Sequence, residues 1–255
     1  MSCWSEPVTA TTELFRPVTT QNAANAVAEQ VRVAIDLALL VPGDRLPPER
    51  ALAALLDVSR PTVREALRVL AESGYVGIRR GAGGGAFVLP RRRAGEVERI
   101  RDALRARRRE LAALLEWRRA VEGEAAALAA VRVSDDGLRA LRARTVESGG
   151  WRMRSFEAWR ADDSRFHIAV AEASGNPYIL DAVRRARVEL AEALDALVAQ
   201  HAAKPAAAQH AAKPAAAEHE AILAALQARD PDAARATALR HGQATEERLR
   251  RLLGP

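Results

Sequence analysis

From Glu96 to Leu253 the apolar residues return at steps of three and four and show almost no alternation, and this constrains the fold more than any other feature. Ile100, Leu104, Leu111, Leu114, Val121, Ala125 and Leu128 mark one long helical stripe, with an expected interruption near Arg107. Ser134-Asp135-Asp136 caps the next helix. A third covers residues 155–173 and ends in Ser174-Gly175-Asn176-Pro177, a stop followed by a start. A fourth helix is expected over 177–198, and the last two, 218–229 and 231–253, divide at Asp230-Pro231. About six helices joined by short links predict an antiparallel bundle.

The first ninety residues have a different rhythm. Val27, Val31, Ile35 and Ala38 predict a helix over 22–40, broken by Val41-Pro42-Gly43-Asp44. Pro48 and Glu49 open a short helix carrying Leu52 and Leu55, and Asp57-Val58-Ser59 is a turn. Ser59 is placed to cap a second helix over 60–73, with Gly74 as its stop. Tyr75-Val76-Gly77-Ile78, the glycine turn 81–85 and Ala86-Phe87-Val88-Leu89 read as strand, turn and strand. Together these elements make a winged helix-turn-helix, whose second helix enters a DNA major groove. Charge placement points the same way. Residues 60–93 hold eight arginines against Glu65 and Glu72, so this segment alone carries +6, equal to the net charge of the chain. Such a field suits a polyanion, although a solvated basic face would give the same count. On the second helix Arg60 and Arg64 lie one turn apart with Thr62 beside them, offering forked donors to guanine edges or phosphates.

Three of the five histidines fall in QHAAKPAAAQHAAKPAAAEHE, residues 200–220, where nine residues occur twice before Glu218-His219 begin a third copy. Asp163 and His167 are four apart and share a helix face. His219 and His241 each lie eleven residues from Asp230, so in a helix hairpin they stand at the same height, about 16 Å from the turn. His201 and His210 do not fit that geometry, and the copies read as an alanine/proline loop ending where the helix begins. One carboxylate and three imidazoles would suit a divalent transition metal, but the spacing alone leaves packed histidines equally open. Arg118 lies on the apolar stripe between Leu114 and Val121. It could turn inward to clamp a carboxylate or snorkel to solvent.

The segment PGDRLPPERALAALLDVSRPTVREALRVLAESGYVGIRRGAGGGAFV resembles the DNA-binding domain of the GntR family of bacterial transcription regulators. LLEWRRAVEGEAAALAA, DDSRFHIAVAEASGNPYI and EHEAILAALQARDPDAARATALRHG resemble the effector domain of its FadR-type branch. The resemblance implies DNA contacts at Arg50, Ser59, Arg60, Thr62 and Arg64, with Arg80 and Gly81 on the wing. It implies metal ligands at Asp163, His167, His219 and His241, an effector-binding role for Arg118, a homodimer, and a small carboxylate effector. Three departures stand out: Pro48 where serine is usual, extra glycine at the wing tip, and Gly242 where an apolar residue usually follows the last histidine.

The expected architecture is therefore mainly α, an N-terminal winged helix-turn-helix followed by an antiparallel helical bundle. The expected divisions are a tail over 1–20, a DNA-binding domain over 21–90, a linker over 91–95, and an effector-binding and dimerisation domain over 96–253 with a repeat loop at 200–217. The expected function is a ligand-responsive regulator, a repressor, binding pseudo-palindromic operator DNA, a metal and an acid. Zinc is the first choice of metal, with nickel, iron or manganese as alternatives. Rival readings are a metal-dependent hydrolase with a nucleic-acid-targeting domain, for which Glu122 or Glu220 would have to act as base, and a pure metal sensor. No apolar run is long enough to span a membrane, the N-terminus lacks the pattern of a signal peptide, and Cys3 is the only cysteine, so a cytoplasmic protein is expected.

Overall fold

The computed structural model describes residues 22–81, 83–90, 96–147, 156–199 and 205–254. The expected tail 1–20, Cys3, and the linker 91–95 with Arg91, Arg92 and Arg93 lie outside the described residues. The winged unit comprises α1 (Asn22–Asp36), α2 (Glu49–Leu55), α3 (Arg60–Glu72), β1 (Val76–Arg79) and β2 (Gly85–Val88). Its core joins Val27, Val31 and Ile35 of α1 to Val63, Leu67 and Leu70 of α3 and to Val76 and Val88 of the wing. Helix α1 ends four residues earlier than its apolar spacing predicts. Ala38 takes a left-handed backbone, φ 55°, and the amides of Leu39 and Leu40 both turn back to the Ala34 carbonyl at 2.8 and 3.1 Å.

Ser59 caps α3 as expected, its side chain accepting from the Thr62 amide. The strands pair antiparallel from Val76↔Val88 to Arg79↔Gly85, one residue out from the expected limits. One glycine of the wing tip, Gly84, is required by space. The Gly84 amide donates to the Gly81 carbonyl at 2.9 Å, and a Cβ on Gly84 would lie 2.4 Å from the Arg79 carbonyl oxygen.

The bundle comprises α4 (Glu96–Ala106), α5 (Arg108–Arg132), α6 (Asp135–Glu147), α7 (Phe156–Ala173), α8 (Pro177–Glu189), α9 (Ala191–Ala199), α10 (Pro205–Gln227) and α11 (Pro231–Leu253). The break near Arg107 falls between α4 and α5. Helix α5 packs most extensively on α11, because their facing residues are small: Ala126, Ala129 and Ala130 share a core with Ala234, Ala238, Phe166, Ile222 and Leu226. Among the described residues, no helix is long and apolar enough to cross a membrane.

Two expectations for the bundle are corrected. The single helix over 177–198 is two, interrupted at Leu190 (φ −94°, ψ 2°). The bend sinks Leu190 and Leu194 into a cluster with Leu104, Leu111, Leu115, Leu249 and Leu252. The expected loop over 200–217 is helical from Pro205 onward, within α10. Eight of residues 205–217 are alanine, the strongest helix former. Pro205 sits at the first helical position, where its missing N–H would have no partner anyway. Pro214 lies inside the helix, at the cost of one hydrogen bond, and Ala215 beside it is buried.

Candidate metal centre and DNA-binding face

Helices α7, α10 and α11 bring Asp163, His167, His219 and His241 together. Their donor atoms all lie within 4.8 Å of one another, and all four residues are buried. Asp163 and His167 stack one turn apart on α7. Asp230 caps α11 by accepting from the amides of Asp232 and Ala233, which fixes the α10–α11 hairpin so that His219 and His241 face each other with ring centroids 4.6 Å apart. His210 stands nine residues before His219, two and a half helical turns, so its backbone position is on the opposite side of α10.

The donor set fits a divalent transition metal. Bonds of about 2.0–2.2 Å to nitrogen and oxygen put neighbouring donors roughly 3.0–3.6 Å apart around one ion. His219 Nε2 is 3.2 Å from His167 Nε2 and 3.5 Å from Asp163 Oδ1, and His167 Nε2 is 3.8 Å from Asp163 Oδ1. Two further carboxylates aim the rings. His167 Nδ1 lies 3.4 Å from Glu122 Oε1, and His241 Nδ1 lies 2.8 Å from Glu218 Oε2. Such partners fix the tautomer and leave Nε2 as the acceptor that faces the centre.

The charges agree. Burial first, then Arg187, holds His167 well below the usual imidazole range. Burial and then His241 do the same for His219, so both are neutral and able to donate. Burial opposes ionisation of Asp163, but Arg187, His219, Arg160 and Arg118 outweigh it and hold the carboxyl below the usual range. Arg187 itself is buried and bonds to Asp163 and, at 3.3 Å, to Glu122.

Arg118 turns inward and is 2% exposed. Its Nε donates to Glu122 at 2.9 Å, its Nη2 lies 3.4 Å from His241 Nε2, and its Nη1 is buried without a hydrogen-bond partner among the described residues. Sequence reasoning passed over Glu218 and Arg187 and gave Glu122 only a role as an imagined base. Glu218 carries a signal in hindsight: the two upstream copies have Gln200 and Gln209 at its place. Gly242 is accounted for by space, since a Cβ there would lie 2.6 Å from the Arg119 Cγ, whose side chain crosses to pair with Glu246.

On the winged unit, Arg50, Ser59, Arg60, Arg64, Arg80 and Gly81 are exposed and Thr62 is half-buried. Ser59 and Thr62 share a hydroxyl contact at 2.7 Å. Arg64 is held by Glu49 of α2 through Nη2 at 2.9 Å, a restraint its spacing did not suggest. Arg79 stacks over the Phe87 ring, 4.7 Å from its centroid, which stiffens the base of the wing beside Arg80.

A winged helix-turn-helix joined to a helical bundle with a buried His/Asp cluster defines a DNA-binding regulator with a sensor domain. The family model described as "Bacterial regulatory proteins, gntR family" matches residues 23–88, and the FCD domain matches residues 113–244, more than half of the chain. The chain belongs to the GntR family and carries an FCD domain. The Uxu operon transcriptional regulator of Escherichia coli K12 is 34% identical over 145 residues, 56% of this chain and 55% of that protein. The HTH-type transcriptional regulator LutR of Bacillus subtilis is 33% identical over 138 residues, 54% of this chain and 61% of that protein. The chain thus spans little more than half the length of these relatives. The solved structure of E. coli McbR/YncC has the same fold, with a TM-score of 0.52 and 21% identity, over 92% of this chain and 99% of that one. The families and relatives are regulators rather than enzymes.

Proposed function

We propose that the protein is a homodimeric, ligand-responsive transcriptional regulator, a repressor, that binds pseudo-palindromic operator DNA through α3 and the wing. In this reading Asp163, His167, His219 and His241 hold a divalent metal, zinc first, with nickel, iron or manganese as alternatives. Arg50, Ser59, Arg60, Thr62, Arg64, Arg80 and Gly81 face the duplex, and residues 21–90 and 96–253 act as the DNA-binding and effector domains. The metal would act as a Lewis acid that accepts one oxygen of a small carboxylate effector.

The observation that carries the proposal is the unpartnered Arg118 Nη1 beside the donor cluster. A buried guanidinium donor without an acceptor is costly, and a carboxylate oxygen of a bound acid supplies the missing acceptor in a fork. This favours an acid-responsive regulator over a pure metal sensor, which gives Arg118 Nη1 nothing to do. Glu122, committed to Arg118, Arg187 and His167, is not available as the base of a hydrolase.

The test is to titrate the purified protein onto duplex selected from random DNA, metal-free, with zinc, and with zinc plus a panel of organic acids. Arg118→Ala is expected to retain zinc and duplex binding and to lose its response to the acid. An Arg118→Ala protein that responds fully to the acid would refute the clamp.

A further inference from the structure

Arg160 of α7, which the proposed acid clamp does not use, is 1% exposed and stands three residues before Asp163. Its Nε donates to Asp195 of α9 at 2.7 Å, and its Nη1 donates to Ser164 at 3.2 Å and lies 3.8 Å from Asp163 Oδ2. Its Nη2 leaves the bundle and donates to the backbone carbonyl of Asp36 at 3.4 Å. Asp36 is the last residue of α1, where carbonyls lose their intrahelical donors. The end of α1 is buried: Asp36 is 3% and Leu37 2% exposed, and Arg32 holds the Asp36 carboxylate at 2.5 Å.

One guanidinium thus touches a donor of the cluster and the backbone of the winged unit. What lies beyond it is rigid, because α1 packs on α3 through the core containing Val31, Ile35, Val63 and Leu67. Helix α3 carries Arg60, Thr62 and Arg64. Elsewhere, among the described residues, no element of the winged unit packs broadly on the bundle, so this contact bears unusual weight in setting the orientation of α1.

We infer that Arg160 couples occupancy of the donor cluster to the orientation of the winged unit. The inference rests on the proposed cation at Asp163. A cation there draws on the charge of the Asp163 carboxylate and weakens its hold on Arg160. Asp195, already the closest partner of Arg160 at 2.7 Å, and the Asp36 carbonyl then hold a larger share of the guanidinium, and the end of α1 is held more firmly in the loaded protein than in the metal-free one. Arg160 is a positioning residue: it binds neither DNA nor effector.

The experiment uses the full chain, metal-free and with saturating zinc. Three quantities are read in each state: zinc affinity by competition with a chelating dye, affinity for the selected duplex, and amide hydrogen exchange over residues 33–40. Wild type is expected to gain protection over 33–40 with zinc and to change its duplex affinity by at least about 5-fold, the lower end of usual coupling factors. Two variants guard against misfolding: Arg160→Lys keeps the charge without the fork, and Arg160→Met with Asp195→Leu leaves no buried charge unpaired. Both are expected to bind zinc within about 3-fold of wild type, a change smaller than the coupling range, while duplex affinity and exchange become indifferent to zinc. Variants that keep the wild-type dependence on zinc overturn the coupling role. If wild type binds zinc but neither exchange nor duplex affinity changes, the coupling is overturned while the metal reading stands. If wild type binds none of zinc, nickel, iron or manganese, the metal reading falls and takes the inference with it.

Discussion

Replacing Glu218 tests whether the carboxylate behind His241 is part of the metal centre. Glu218 accepts from His241 Nδ1 at 2.8 Å and is tied from its other oxygen to Arg248. Burial opposes its ionisation, but the His241 and Arg248 bonds prevail and hold its carboxyl below the usual range. Glu218→Gln retains an acceptor and removes the charge, forfeiting roughly half of a charge-assisted bond. Glu218→Ala removes the acceptor as well. Loss of such orienting partners lowers metal affinity by about 10–100-fold, so Gln belongs near the lower figure and Ala near the upper, about 1.4 and 2.7 kcal/mol. The competing effect is on folding. Arg248 would lose its partner, but at 19% exposure it can turn toward water, a loss of about 0–1 kcal/mol. In Glu218→Ala the buried His241 Nδ1 also loses its acceptor, about 1–3 kcal/mol, whereas Gln keeps one. Zinc affinity should therefore fall in both variants, while the melting point of the metal-free protein barely moves in Glu218→Gln and drops in Glu218→Ala. Dye competition for zinc and calorimetry of the stripped protein measure the two effects separately. A Glu218→Ala protein that binds zinc within about 2-fold of wild type, far short of that range, would refute the orienting role.

Three further outcomes are expected. The metal-free protein should lose stability as pH falls below 6.5, because burial holds His167 and His219 well below that value when folded and the unfolded chain then binds the extra protons. Asp163, also lowered, adds a loss below pH 3.8, and urea midpoints that rise on acidification would contradict both. Arg60→Ala and Arg64→Ala should each weaken binding to the selected duplex by about 1–3 kcal/mol, with Arg64 also leaving Glu49 unpaired; unchanged affinity in both, by fluorescence anisotropy, would remove α3 from the groove. Deleting residues 209–217 joins the identical copy, residues 200–208, to Glu218, so Ala206 takes the place of buried Ala215, and the melting point should shift little while zinc stoichiometry stays at one; loss of the zinc equivalent would bring the repeat histidines into the site.

The winged unit and the helical hairpin were legible because each is written locally: a Ser59 cap, a Gly74 stop, and eleven residues on either side of Asp230. The same periodicity pairs Asp163 with His167 on α7 and His219 with His241 in the hairpin, but that the two pairs meet in one cluster was implied only by the family resemblance. What the sequence hid depends on contacts between elements. Glu122 approaches His167 across 45 residues, and Arg187 reaches Asp163 across 24; neither spacing announces a pair. The bend at Leu190 exists to bury it against α4, α5 and α11. The helix over 205–217 is concealed because its two prolines point to a loop and its eight alanines to a helix, and Pro205 stands where a helix tolerates it best.

The balance of buried charge makes one last outcome calculable in sign. Around the donors, Arg118 and Arg187 are matched by Glu122 and Asp163, and the Arg160–Asp195 pair is neutral. His167 and His219 carry no charge. A divalent cation placed among them leaves an uncompensated double positive charge in an interior where water screens poorly. An anion beside it relieves that excess, and Arg118 Nη1 is positioned to share the load. Metal and acid should therefore bind with positive coupling, and by thermodynamic reciprocity each must raise the affinity of the other by the same factor. Dye competition for zinc, repeated with and without saturating mono- and dicarboxylates, reads that factor; calorimetry of the acids on stripped and zinc-loaded protein reads it from the other side. Dicarboxylates, which cancel both charges, should show the larger coupling. Zinc affinity indifferent to every acid that changes DNA binding would separate the two sites and defeat this account of the buried charges.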